Sequence, residues 1–80
     1  MIVWDKIEER HQRGRCERGP LWLRLDRDGQ VTGLYTLFGT TTKYVPETEE
    51  ELRPEAMRIR AELILEHHAE AERLAAAQAR

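Results

Sequence analysis

The sequence predicts an α+β fold. It comprises a short N-terminal helix, a three-stranded antiparallel sheet over about 20–26, 30–38 and 41–45, and a long C-terminal helix over about 54–79 packed on one face of the sheet. Three observations carry this expectation. Residues 1–45 hold all the aromatic residues and all five glycines, with eight Lys/Arg against six Asp/Glu, whereas residues 46–80 hold every alanine and five Arg against nine Glu. The stretch Leu21-Trp22-Leu23-Arg24-Leu25-Asp26 alternates apolar and polar with period two, the signature of a strand. Beyond Pro54 no glycine or proline interrupts the chain, and its residues favour helix.

At the N-terminus, Asp5 followed by Glu8 has the spacing of a capping box, and Trp4, Ile7 and His11 recur at helical intervals. A short helix over about 6–13 is therefore expected, stopped at Gly14, although Ile2-Val3-Trp4 also suits a strand. In the middle, Asp28-Gly29 is a favoured two-residue hairpin turn. With that turn, paired residue numbers sum to 57, so Leu23 faces Leu34 and Trp22 faces Tyr35. A second turn at Gly39-Thr40 makes pairs sum to 79, setting Leu34 against Val45 and Tyr35 against Tyr44. One face then carries Leu21, Leu23, Leu25, Leu34 and Val45, and the other an aromatic row, Trp22, Tyr35 and Tyr44. Either the N-terminal helix covers that row through Ile7 and Trp4, or the row stands open to a partner.

Pro46 ends the last strand, Thr48 and Glu51 form a second cap, and Pro54 opens the main helix as its first residue. Running to about Ala79, this helix is roughly 39 Å long, about twice the span of a six-residue strand, so its last half should overhang the sheet. Ala56, Ile59, Leu63, Ile64, Ala71 and Leu74 form its expected core stripe, with Met57 and Ala75 at the margin. Arg60 and His67 project from the same stripe. Arg60 is expected to reach water along its apolar stem, and His67 lies where the overhang begins. Glu55, Glu62, Glu66 and Glu70 line the opposite side as an acidic ridge.

Few classes of chemistry have their parts in this chain. It contains no serine, a single cysteine and no phosphate-binding glycine loop, so catalysis is not expected. Cys16 sits among Arg13, Arg15 and Arg18, but a lone cysteine in a basic, glycine-flanked loop is expected to be incidental. His67 with Glu70 and His68 with Glu72 have helical spacings for two ligands, but no third ligand accompanies them, so neither a metal nor a cofactor is expected. No apolar run reaches membrane-spanning length, and one unpaired cysteine suits a reducing cytoplasm.

The leading expectation is a single-domain, non-enzymatic protein-interaction module over residues 1–80. It would be an inhibitor or regulator docking its acidic helix (Glu55, Glu62, Glu66, Glu70) or its aromatic row on a basic nucleic-acid-handling protein, of the kind encoded by phages and mobile elements, with an anti-CRISPR-like inhibitor as one form it could take. Arg24 and His67 join the candidate partner-binding residues, and a homodimer through the C-terminal helix is a further expectation. The alternative is a nucleic-acid-binding domain in which Trp22, Tyr35 and Tyr44 stack on bases while Arg10, Arg13, Arg15, Arg18, Arg24, Arg27 and Lys43 contact phosphates. Three strands followed by a helix, with the Arg24–Gln30 hairpin, resemble in topology the arm-type DNA-binding domains of tyrosine integrases over about residues 20–65. The Lys/Arg excess on that family's reading strands is absent here.

Overall fold

The computed structural model describes residues 1–79, without the side chains of residues 6–8. Five antiparallel strands precede one long helix: β1 (Val3–Glu8), β2 (His11–Cys16), β3 (Gly19–Leu25), β4 (Val31–Thr36), β5 (Thr42–Tyr44) and α1 (Pro54–Gln78). The strands form a simple meander in the order β1-β2-β3-β4-β5. The α+β class and the long C-terminal helix are as the sequence predicts. The N-terminal helix is not, because residues 3–16 form a hairpin with Glu9 and Arg10 at its tip. The five-stranded meander also removes the three-strand topology on which the likeness to integrase arm domains rested.

Packing at Gly14 explains the correction. Gly14 is not a helix stop but a buried residue inside β2, paired with Trp4 on one side and Leu21 on the other. A Cβ there would lie 2.7 Å from Cγ2 of Ile2 and 3.0 Å from Cζ3 of Trp4. Those two side chains close over the glycine, and Ile2 enters the core. Trp4 therefore lies on the helix side of the sheet and cannot cover Trp22 and Tyr35. The expected contribution of Ile7 falls on a side chain outside the described residues.

The β3–β4 hairpin has the expected pairs, Trp22↔Tyr35 and Leu23↔Leu34, for an unexpected reason. Its loop has three residues between Asp26 and Gln30, with Gly29 at φ +79°. Asp26 Oδ1 accepts from the amides of both Asp28 and Gln30 at 2.9 Å. The longer loop shifts Leu25 opposite Val31, and an irregularity at Thr32 shifts the register back.

The next turn has no such compensation. Gly39, at φ +94°, is the centre of a five-residue loop, and β5 pairs as Leu34↔Tyr44 and Tyr35↔Lys43. A one-residue slip exchanges the faces of a strand. Tyr44 thus joins the helix side, Lys43 takes its place beside Tyr35, and Val45 is exposed rather than paired with Leu34.

The core lies between sheet and helix and contains Ile2, Leu21, Leu23, Val31, Leu34, Met57 and Ala61. Pro54 is the first helical residue, as expected, preceded by a 3₁₀ turn over Glu50–Leu52. At that turn the Thr48 hydroxyl accepts from the Glu51 amide and the Glu51 carboxylate accepts from the Glu47 amide. The buried stripe of α1 is Met57 and Ala61 with Ile64 and Leu65 beside it. Ile59, Leu63 and Leu74, expected inside, are 65%, 60% and 57% exposed. Side-chain clamps accompany this rotation. Arg58 Nε donates to Gln12 Oε1 at 3.0 Å. Arg60, rather than simply reaching water, donates to the Val45 carbonyl and the Glu47 carboxylate and lies over the Tyr44 ring. Arg18 holds Glu72 through two hydrogen bonds. With Arg58, Arg60 and Glu72 pulled toward the sheet, the helix side bearing Ile59 and Leu63 turns outward.

Candidate functional site

Antiparallel register decides which side chains share the sheet face away from α1. Val3 and Asp5 of β1, His11, Arg13 and Arg15 of β2, Trp22 and Arg24 of β3, Tyr35 of β4 and Lys43 of β5 alternate onto it. The pairing lines up one row straight across the five strands: Asp5, Arg13, Trp22, Tyr35, Lys43. Two adjacent aromatic rings are therefore flanked by cations on both sides. A second row sets His11 beside Arg24 and Gly33.

Contacts within the face hold these groups in place. The Arg24 guanidinium lies 5.3 Å from the centre of the Tyr35 ring, and the Lys43 ammonium lies 5.5 Å from it. Arg24 Nε donates to His11 Nε2 at 3.1 Å, which ties down one edge of the guanidinium. The Arg24 guanidinium, and after it the Lys43 ammonium, hold the Tyr35 phenol below its ordinary pKa by stabilising the phenolate. Gly33 makes room for this arrangement, since a Cβ there would lie 2.9 Å from Cε of Lys43. Asp5 is the acid in the central row, and its carboxylate pairs with Arg15 at 2.8 Å. His11, Trp22, Arg24, Tyr35 and Thr41 line a shallow depression of about 380 Å³ on this surface.

The predicted site residues thus separate into two groups. Trp22, Tyr35 and Arg24 come together on the open face. Tyr44 does not join them, because the β5 register turns it toward α1, where its hydroxyl lies 3.3 Å from Nε2 of His68. The expected acidic ridge is also divided: Glu62 accepts a hydrogen bond from the backbone amide of Ile2 at 3.0 Å, while Glu55, Glu66 and Glu70 remain exposed with His67 on the outer side of α1. Arg18, counted among the phosphate contacts, is occupied by Glu72 and the Phe38 ring. His11 was missed as a partner of Arg24. Its signal was the period-two placement of His11, Arg13 and Arg15, which a helical reading of residues 6–13 conceals.

Other chemistry has little to build on. Among the described residues no group of three or more His, Cys, Asp or Glu side chains is placed to hold a metal ion. Cys16 is half-buried in β2, where its thiol donates to the Gly19 carbonyl at 3.2 Å. His68, one of the two histidines considered as ligands, is instead engaged by Tyr44 and packs edge-on against Phe38. Among the described residues no helix is long and apolar enough to cross a membrane.

Fold and site together define a class: an antiparallel five-stranded meander backed by one helix, with a cation-flanked aromatic pair on the uncovered face. No protein-family description, curated protein or solved structure matches the chain.

Proposed function

We propose that the open sheet face binds single-stranded nucleic acid. The observation that carries this reading is the central row, in which Trp22 and Tyr35 lie side by side between Arg13 and Lys43, with Arg24 over the second ring. Unpaired bases present π-faces that stack on such rings, while the cations follow the phosphates. In a duplex the bases are already stacked on one another, so the rings favour single strands.

Net charge does not oppose the proposal. The chain carries −2 overall, but Glu55, Glu66 and Glu70 lie on the far side of α1. Helix and sheet together separate them from the open face by more than the roughly 8 Å Debye length of physiological salt. The expectation that an acidic helix docks on a basic protein has weaker geometric support, because Glu62 is already used within the molecule.

Fluorescence anisotropy with labelled 15-nucleotide dT and U oligomers, and with a duplex of equal length, tests the reading. Single strands are expected to bind at micromolar protein and more tightly than the duplex. Trp22→Ala and Tyr35→Ala, checked for folding by circular dichroism, should each weaken binding by about tenfold, within the range for loss of one base–aromatic stack. Absence of binding at tens of micromolar, or affinity unchanged in both variants, overturns the proposal.

A further inference from the structure

The outer side of α1 bears a seam that the sheet does not use. Leu63, His67, Glu70 and Leu74 follow one another at intervals of four, three and four residues, the spacing that keeps side chains on one line along a helix. All four are exposed, and at about 100° per residue the line lies about 130° around the helix from the midpoint of buried Met57 and Ala61. His67 is kept at the helix surface edge-on to His68, the ring centres 6.2 Å apart.

This seam complements itself. Let a second copy of α1 lie antiparallel across it, with the two-fold axis passing between residues 68 and 69. Facing residue numbers then sum to 137. Leu63 of each copy meets Leu74 of the other, and His67 of each meets Glu70 of the other. Two leucine contacts would flank two reciprocal imidazole–carboxylate pairs. A parallel copy would set His67 against His67 and Glu70 against Glu70, so the charges select the antiparallel arrangement. We infer that the chain forms a two-fold dimer through this antiparallel seam on α1, the partner being a second copy of itself.

The geometry permits it. Each sheet lies behind its own helix as seen from the seam, so two helices meet as inner layers with the sheets outside. The seam extends into the second half of α1, where every described residue from Glu70 on is exposed. Ile59, 65% exposed, adds apolar surface at the end of the line. The inference is independent of the nucleic-acid reading, because its residues lie on the opposite side of the molecule from Trp22 and Tyr35.

Sedimentation equilibrium and light scattering over a concentration series test it. A concentration-dependent mass approaching twice that of the chain is expected. Leu63→Glu combined with Leu74→Glu should leave a monomer whose helical circular dichroism is unchanged, since both side chains are exposed. His67→Glu alone, which brings four carboxylates together, should weaken self-association by at least about tenfold, and His67→Glu with Glu70→Lys should restore it. A monomer at every concentration up to the millimolar range overturns the inference. So does a dimer that survives the double leucine variant, or a His67→Glu defect that the second charge change does not rescue.

Discussion

Gly14 shows how much a single residue decides. With Ile2 and Trp4 packed within about 3 Å of where a Cβ would sit, Gly14→Ala forces both side chains to move. The expected cost is about 1–3 kcal/mol, the usual range for an extra methyl in a packed core, read as a lower midpoint in urea unfolding. An unchanged midpoint would mean that Ile2 and Trp4 do not close over this residue. Tyr35 offers a second residue-scale measurement. Because Arg24 and Lys43 favour its phenolate, it should ionise at lower pH than a free tyrosine when followed by ultraviolet absorbance. Arg24→Ala should move that transition toward its ordinary position, and a titration indifferent to Arg24 would refute the contact. The two cations beside the ring are two of the three proposed to meet phosphates, so the titration reports directly on the assembly of the site.

Among the elements, β3 and β4 were the most legible, because Leu21, Leu23 and Leu25 alternate cleanly with polar or amphipathic neighbours and only one phase buries them. The first hairpin was not. His11-Gln12-Arg13-Gly14-Arg15-Cys16 has no strongly apolar residue, so its strand character comes from pairing with β1 and β3 rather than from its own propensity. The β5 register turned on whether the loop centre falls at Gly39 or between Gly39 and Thr40, a half-residue difference that composition does not encode. In α1 the apolar residues have two maxima, one on each side of the helix, and clamps formed by Arg58, Arg60 and Arg18 choose which is buried. The Arg18–Glu72 clamp is testable through acid. The Arg18 hydrogen bond holds the Glu72 pKa below its ordinary value. A carboxylate lowered in this way supports the fold above its ordinary pKa, and that support disappears as pH falls through its folded value. Helical circular dichroism is therefore expected to decline as pH falls below the ordinary carboxylate range, with Glu72→Gln lacking the Glu72 part of that decline. Identical acid profiles for the two proteins would remove the clamp from the account.

At the scale of the molecule, charge is sorted by layer. Cations and rings, with Asp5 paired to Arg15 among them, occupy the open sheet face, aliphatic groups the middle, and Glu55, Glu66 and Glu70 the outside of the helix. The candidate site was half legible: Trp22, Tyr35 and Arg24 followed from strand alternation, but the partition that puts Lys43 with them and removes Tyr44 required the full sheet. If Arg13, Arg24 and Lys43 each neutralise one phosphate, the logarithm of single-strand affinity should fall with the logarithm of salt at a slope of about −2, or about twentyfold between 50 and 200 mM. A salt-independent affinity would exclude phosphate contact by this row.

The meander has a consequence for how the chain becomes folded. Every strand pairs with its neighbour in sequence, so the hairpins can zip together from local contacts, which is the fast regime of folding. The helical lid over Leu21, Leu23 and Leu34 is supplied by Met57 and Ala61, with Ile64 and Leu65 beside them. At synthesis rates of about 5–20 residues per second, roughly one to three seconds separate the emergence of Tyr44 from that of Ala61. For that interval a growing chain presents its aliphatic sheet face to the surrounding medium, and chaperone demand should be set by that wait rather than by the strand pairing itself.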